Sequence, residues 1–137
     1  MVETNRHTER LTELLRLDCS SRVLDVHCGQ GGFALELAWC LGCRVVGVDP
    51  SDENVGAAVQ RAREQGIDSL CTFVRGDSDL PDLGDGSFDA VIVEPPVGTR
   101  SDQVEAAREL ARLLRPGGRL ALTDPAGGDP VVVPTGI

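Results

Sequence analysis

The stretch "VLDVHCGQGGF", residues 23–33, decides how this chain folds. Val23 to Val26 belongs to a short apolar strand beginning at Arg22, and Gly29 and Gly31 make a glycine loop. From Gly31 to Leu41, Phe33, Leu35, Leu37 and Ala38 form the packing side of a helix that Gly42 ends. A strand, a glycine loop and a helix form one half of a crossover unit, and the unit recurs downstream. Arg44 to Val48 is a β-branched strand closed by Asp49-Pro50, and Ser51 can cap a helix reaching about Gln65, stopped by Gly66.

Upstream, Leu11, Leu14 and Leu15 at helical spacing predict a leading helix over 5–17. Downstream, a third strand is expected from about Leu70 to Val74, and a polar loop from Gly76 to Ser87 leads to a fourth, Phe88 to Val93. Ser101 or Asp102 can cap a helix to Leu114. Pro116-Gly117-Gly118 turns the chain, and Arg119 to Thr123 makes a fifth strand. Strands alternating with helices, several of them apolar on both faces, imply a parallel sheet with right-handed crossovers and helices on both sides. This is an α/β, Rossmann-like three-layer sandwich of about five strands in a single domain over 1–137.

Composition narrows the function. The 137 residues carry a formal charge of −9, which opposes nucleic-acid binding, since that depends on Lys and Arg neutralising phosphates. No apolar run is long enough to span a bilayer, and residues 1–20 carry charges throughout, so a cytoplasmic chain without a membrane partner is expected. Five cysteines, an odd number, point to reduced thiols. Cys40 and Cys43 form a C-x-x-C with no second pair to complete a metal site.

In an open parallel sheet, ligands bind beyond the carboxyl ends of the strands, where the strand order reverses. The glycine loop belongs there, and Asp49, one helix further on, suits a carboxylate accepting two ribose hydroxyls. Gly29-Gln30-Gly31-Gly32-Phe33-Ala34 also satisfies the dinucleotide pattern G-x-G-x-x-G/A, so at this point two nucleotide-like ligands remain open.

Four segments in order carry a closer resemblance: "VLDVHCGQGG", "VVGVDPS", "GDSDLPDLGDGSFDAVIV" and "LLRPGGRLALTD". Together they resemble class I S-adenosylmethionine-dependent methyltransferases over residues 22–124. The resemblance implies a methyl group transferred to a small-molecule or protein acceptor, with S-adenosylhomocysteine as product. It places Asp25 near the methionine part of the cofactor, and the loop His27, Cys28, Gly29 and Gly31 against its methionyl and ribose groups. Asp49 would hold the ribose hydroxyls and Pro50 would pack on the adenine. Asp77 would accept from the adenine amine, the Ser78 backbone would meet the ring edge, and Glu94 would close the pocket at the fourth strand. A sulfonium and an ammonium favour such a carboxylate-rich rim.

The chain also departs from the family pattern. His27 replaces the first glycine of the motif and is expected in an ordinary β conformation, pointing aside. Glu94-Pro95-Pro96-Val97 lacks the aromatic residue of an amino-group methyltransferase motif, so that substrate does not transfer. Family members continue beyond the fifth strand, so Arg119 to Thr123 is expected to be a bare sheet edge. A homodimer or partner protein would cover it, or "PVVVP" would fold back or swap. A non-catalytic cofactor-binding or scaffolding subunit that needs a partner is the alternative reading.

Overall fold

The computed structural model describes residues 5–77, 83–94, 100–124 and 128–134, with side chains of 100–103 excepted. Its elements are α1 (Arg6–Leu14), β1 (Arg22–Val26), α2 (Gly32–Leu41), β2 (Arg44–Asp49), α3 (Asp52–Glu64) and β3 (Cys71–Arg75). They continue with β4 (Phe88–Val93), α4 (Arg100–Leu110), a 3-10 turn (Ala111–Leu113), β5 (Leu114–Leu122) and β6 (Val131–Val133). The sheet order is β3-β2-β1-β4-β5-β6, parallel except for the antiparallel β5–β6 pair. The chain is thus an α/β, Rossmann-like sandwich, as expected.

Local chemistry sets the helix ends. The Asn5 side chain accepts from the Thr8 N–H at 2.9 Å to start α1, and the Ser51 hydroxyl accepts from the Asn54 N–H at 3.2 Å to start α3. Asp52 and Glu53 lie in the first turn of α3 and Arg61 and Arg63 in its last, which complements the helix dipole. The sheet separates two cores, because alternate strand residues face opposite sides. Val23, Val45, Phe73 and Ile92 pack with Leu11 of α1, Leu35 and Leu37 of α2, and Ala58 and Ala62 of α3. Leu24, Val26, Val91, Val93, Leu120 and Leu122 pack with Ala107 and Leu110 of α4.

Three expectations require correction. Helix α4 starts at Arg100 and ends at Leu110, so neither Ser101 nor Asp102 is its cap, and Leu114 already belongs to β5. Pro116-Gly117-Gly118 lies within β5 as a bulge: the register runs from Phe88↔Leu114 directly to Ala90↔Arg119. Proline has no N–H for the ladder, Gly117 takes φ +82°, and an Arg115–Asp89 ion pair spans the distortion. The β5 edge is not bare, since Val131–Val133 folds back antiparallel against Leu120–Leu122 as a sixth strand. Of the coverings expected for this edge, the fold-back of "PVVVP" is the one observed, and β6 becomes the outer strand.

Candidate functional site

Strand order reverses between β1 and β4, and the crevice at their carboxyl ends is where this architecture places ligands. The register Asp25↔Ile92 and Val26↔Val93 sets Asp25 just inside that end and Glu94 just beyond it. The Glu94 N–H donates to the Val26 carbonyl at 2.9 Å. On the other side of β1, Val26 pairs with Val48, which brings Asp49 to the same end.

The loop after β1 is shaped by three positive φ angles: His27 at +63°, Gly29 at +59° and Gly31 at +84°. The Cys28 N–H donates to the Val48 carbonyl at 3.0 Å, and the Gly29 N–H donates to Asp49 Oδ2 at 2.9 Å. The Gly31 N–H donates to the Cys28 carbonyl at 3.0 Å, and Arg61 Nη1 on α3 donates to the Gln30 carbonyl at 3.0 Å. The two glycines serve different ends. A Cβ at Gly31 would lie 2.9 Å from the Phe73 ring, so glycine there permits close packing of helix and sheet, whereas a Cβ at Gly29 would meet nothing within 4 Å.

His27 therefore takes a left-handed conformation, not the expected β conformation. Its side chain is enclosed, and Nε2 lies 3.2 Å from Asp77 Oδ1. A left-handed angle costs a residue with a Cβ roughly 1–2 kcal/mol. The contact joins the third-strand acid to the first loop.

Asp49 is buried and already occupied by the chain. Besides the Gly29 N–H on Oδ2, its Oδ1 accepts from the Ser51 N–H at 3.0 Å and from Asn54 Nδ2 at 3.1 Å. An ionised carboxylate offers about four acceptor positions, so the three used leave room for roughly one more.

Asp25 and Glu94 differ. Asp25 is fully buried, and neither of its carboxyl oxygens has a hydrogen-bond partner among the described residues; Glu94 Oε2 is likewise enclosed and unpartnered. The two carboxyls are close enough for one to hydrogen-bond the other when a proton lies between them. Burial, then repulsion from Glu94 and Asp49, pushes the Asp25 carboxyl well above its usual range. Burial also raises Glu94, opposed by Asp25 and by His7 and His27. Burial beside Asp25, Asp49 and Glu94 pushes the Cys28 thiol up to about 12, leaving no thiolate at neutral pH.

A methyltransferase-domain profile matches residues 23–118, most of the chain, and covers every strand and loop that builds this crevice. The chain belongs to the class I S-adenosylmethionine-dependent methyltransferase family. Among its relatives in that family, 27-O-demethylrifamycin SV methyltransferase of Amycolatopsis mediterranei (strain S699) is 38% identical over 122 residues, covering 88% of this chain and 44% of the relative. Sterol 24-C-methyltransferase of Yarrowia lipolytica (strain CLIB 122 / E 150) is 36% identical over 117 residues, 84% of this chain and 30% of that protein. The [4+2]-cyclase SpnF superposes with a TM-score of 0.77 at 35% identity, covering 85% of this chain and 43% of the cyclase. Geranyl diphosphate methyltransferase, solved in complex with S-adenosylmethionine, superposes with a TM-score of 0.75 at 26% identity, covering 84% and 46%. The methyltransferase domain described here thus spans less than half the length of these relatives.

The structure gathers Asp25, His27, Cys28, Gly29, Gly31, Asp49 and Glu94 of this family member around one strand end, and links Asp77 to them through His27. Pro50 is exposed beside Asp49, and Ser78 lies outside the described residues. Sequence reasoning missed His7, which α1 brings close enough to Glu94 to favour its charged form. His7 packs edge-on to Phe33 with ring centroids 6.2 Å apart. Its spacing from Leu11 and Leu15 placed it on the inward helical face and could have revealed it. Among the described residues, no helix is long and apolar enough to cross a membrane.

Proposed function

We propose that this chain binds S-adenosylmethionine in the crevice between β1, β2 and β4 and transfers its methyl group to a small-molecule or protein acceptor. The observation that carries this reading is the fully buried Asp25 carboxyl beside the half-buried Glu94 at the switch point, with both Asp25 oxygens and Glu94 Oε2 enclosed and without a hydrogen-bond partner among the described residues. A buried acidic group without a partner is costly, and a cationic ligand supplies what is missing. Asp25 and Glu94 would face the methionyl end. The Gly29 backbone, beside open space, would allow close approach, and the remaining acceptor capacity of Asp49 would take a ribose hydroxyl. Asp77, held by His27, would accept from the adenine amine.

When bound, the cofactor supplies an electrophilic methyl on its sulfonium. The contribution of the chain is to orient that group, exclude water from it and balance its charge, which are the requirements of an in-line displacement. The rifamycin and sterol relatives, named for methylation of small molecules, support a small-molecule acceptor. A second reading, a cofactor-binding subunit without methyl transfer, draws support from SpnF, a similar fold named for a cyclisation.

Incubation with methyl-labelled S-adenosylmethionine and a panel of hydroxyl-bearing and carbon-nucleophile acceptors tests the two. Label in an acceptor, with S-adenosylhomocysteine formed in equal amount, supports methyl transfer. Saturable binding with no transfer across the panel supports the second reading.

A further inference from the structure

The same pair of carboxyls has a consequence for how a ligand enters. Asp25 comes from β1 and Glu94 from just past the end of β4, adjacent strands of one sheet. The groups that face them are Asp49 from β2, Cys28 and His27 from the loop after β1, and His7 from α1. Both histidines act on Glu94. No histidine, lysine or arginine among the described residues is an ion-pair or hydrogen-bond partner of Asp25. Asp49 adds a further negative charge, already committed to three N–H donors. Two neighbouring carboxyls, one of them fully buried, do not both ionise, because no counter-ion among the described residues repays a charge on Asp25.

We infer that Asp25 and Glu94 form a proton-exchange pair that selects cationic ligands: one proton resides on the pair in the ligand-free chain and leaves to solvent when a positively charged ligand end takes its place. This rests on the reading of the crevice as the S-adenosylmethionine site. The exchange balances, since one unit of positive charge enters for each proton released and the net charge of the crevice is unchanged. A neutral ligand of the same shape gains nothing from the pair, because it cannot displace the proton. Raised carboxyl titration at both residues accords with this arrangement, and Asp25 is the natural carrier, since the histidines stabilise charge on Glu94. Cofactor affinity then rises with pH, by up to about tenfold per unit, until the pair titrates in the free chain.

The test is calorimetric titration of the full chain with S-adenosylmethionine at neutral pH, in several buffers of different ionisation enthalpy. The dependence of the observed heat on the buffer gives the number of protons released. Close to one is expected for the wild type, and close to none for Asp25→Asn or for the uncharged methylthioadenosine. Cofactor binding whose heat does not depend on buffer overturns the exchange and leaves the cofactor site standing. Failure to bind cofactor removes the site reading instead, and the pair is then judged in the ligand-free chain by infrared spectroscopy. A protonated carboxyl band at neutral pH that Asp25→Asn abolishes supports the pair, and full ionisation of both groups overturns it.

Discussion

Asp49→Asn isolates what the β2 carboxylate does for the fold before any ligand arrives. The amide keeps one oxygen, which can stay on the Oδ1 side with the Ser51 N–H and Asn54 Nδ2. Its NH2 then faces the Gly29 N–H, donor against donor, where Oδ2 accepted at 2.9 Å. Losing a hydrogen bond to a charged acceptor costs about 1.5–3 kcal/mol, and this one is part-buried. Two effects shift this figure in opposite directions: an unpaired Gly29 N–H adds to the loss, while neutralising residue 49 relieves its repulsion of Asp25 and Glu94. A destabilisation of about 2 kcal/mol is the expected result, on the same scale. At a urea slope of about 2 kcal/mol per molar, the unfolding midpoint falls by about 1 M, and hydrogen exchange at the Gly29 amide accelerates. An unmoved midpoint with Gly29 still protected would refute the account of how the loop is held.

Replacing His27 with glycine relieves the +63° angle and should raise stability by about 0.5–1 kcal/mol in urea unfolding, since Asp77 is exposed and their contact contributes little. Gly31→Ala should cost about 2–3 kcal/mol and Gly29→Ala only about 1 kcal/mol, because just the first drives a Cβ into Phe73; equal losses would contradict the packing role. Because the folded-state value of Asp25 is raised, its contribution to stability is full at acid pH and fades as pH rises through that value. Thermal melts of the wild type should therefore fall with rising pH more steeply than those of Asp25→Asn.

Much of this was legible in the sequence because its punctuation is unambiguous. Gly42 and Gly66 end two helices, Ser51 begins one, and β-branched runs lie between them, so β1 to β4 fell where expected. The α4–β5 boundary was not legible: Leu110, Leu113 and Leu114 continue one apolar rhythm across the 3-10 turn. Pro116-Gly117-Gly118 reads equally as a turn or as a bulge until Phe88 and Ala90 fix the register. The fold-back of "PVVVP" was legible as one of the coverings of β5, and its prolines limit the ladder to three valines. In the site, carboxylates at strand ends could be found by spacing. Whether a carboxylate is satisfied by its own chain, as Asp49 is, or left without a hydrogen-bond partner among the described residues, as Asp25 is, depends on packing from separate elements. The angle at His27 has the same origin: the Cys28 N–H tied to β2 and the Gly29 N–H tied to Asp49 hold the loop in a conformation that a histidine disfavours.

The most direct measurement is the binding of S-adenosylmethionine to the purified, folded chain by titration calorimetry, with NAD as the competing nucleotide. Saturable one-site binding of S-adenosylmethionine, weakened in Asp49→Asn and absent for NAD, is the predicted result. A folded chain that gives no heat with S-adenosylmethionine at saturating concentration, or that prefers NAD, would contradict the assignment of the crevice.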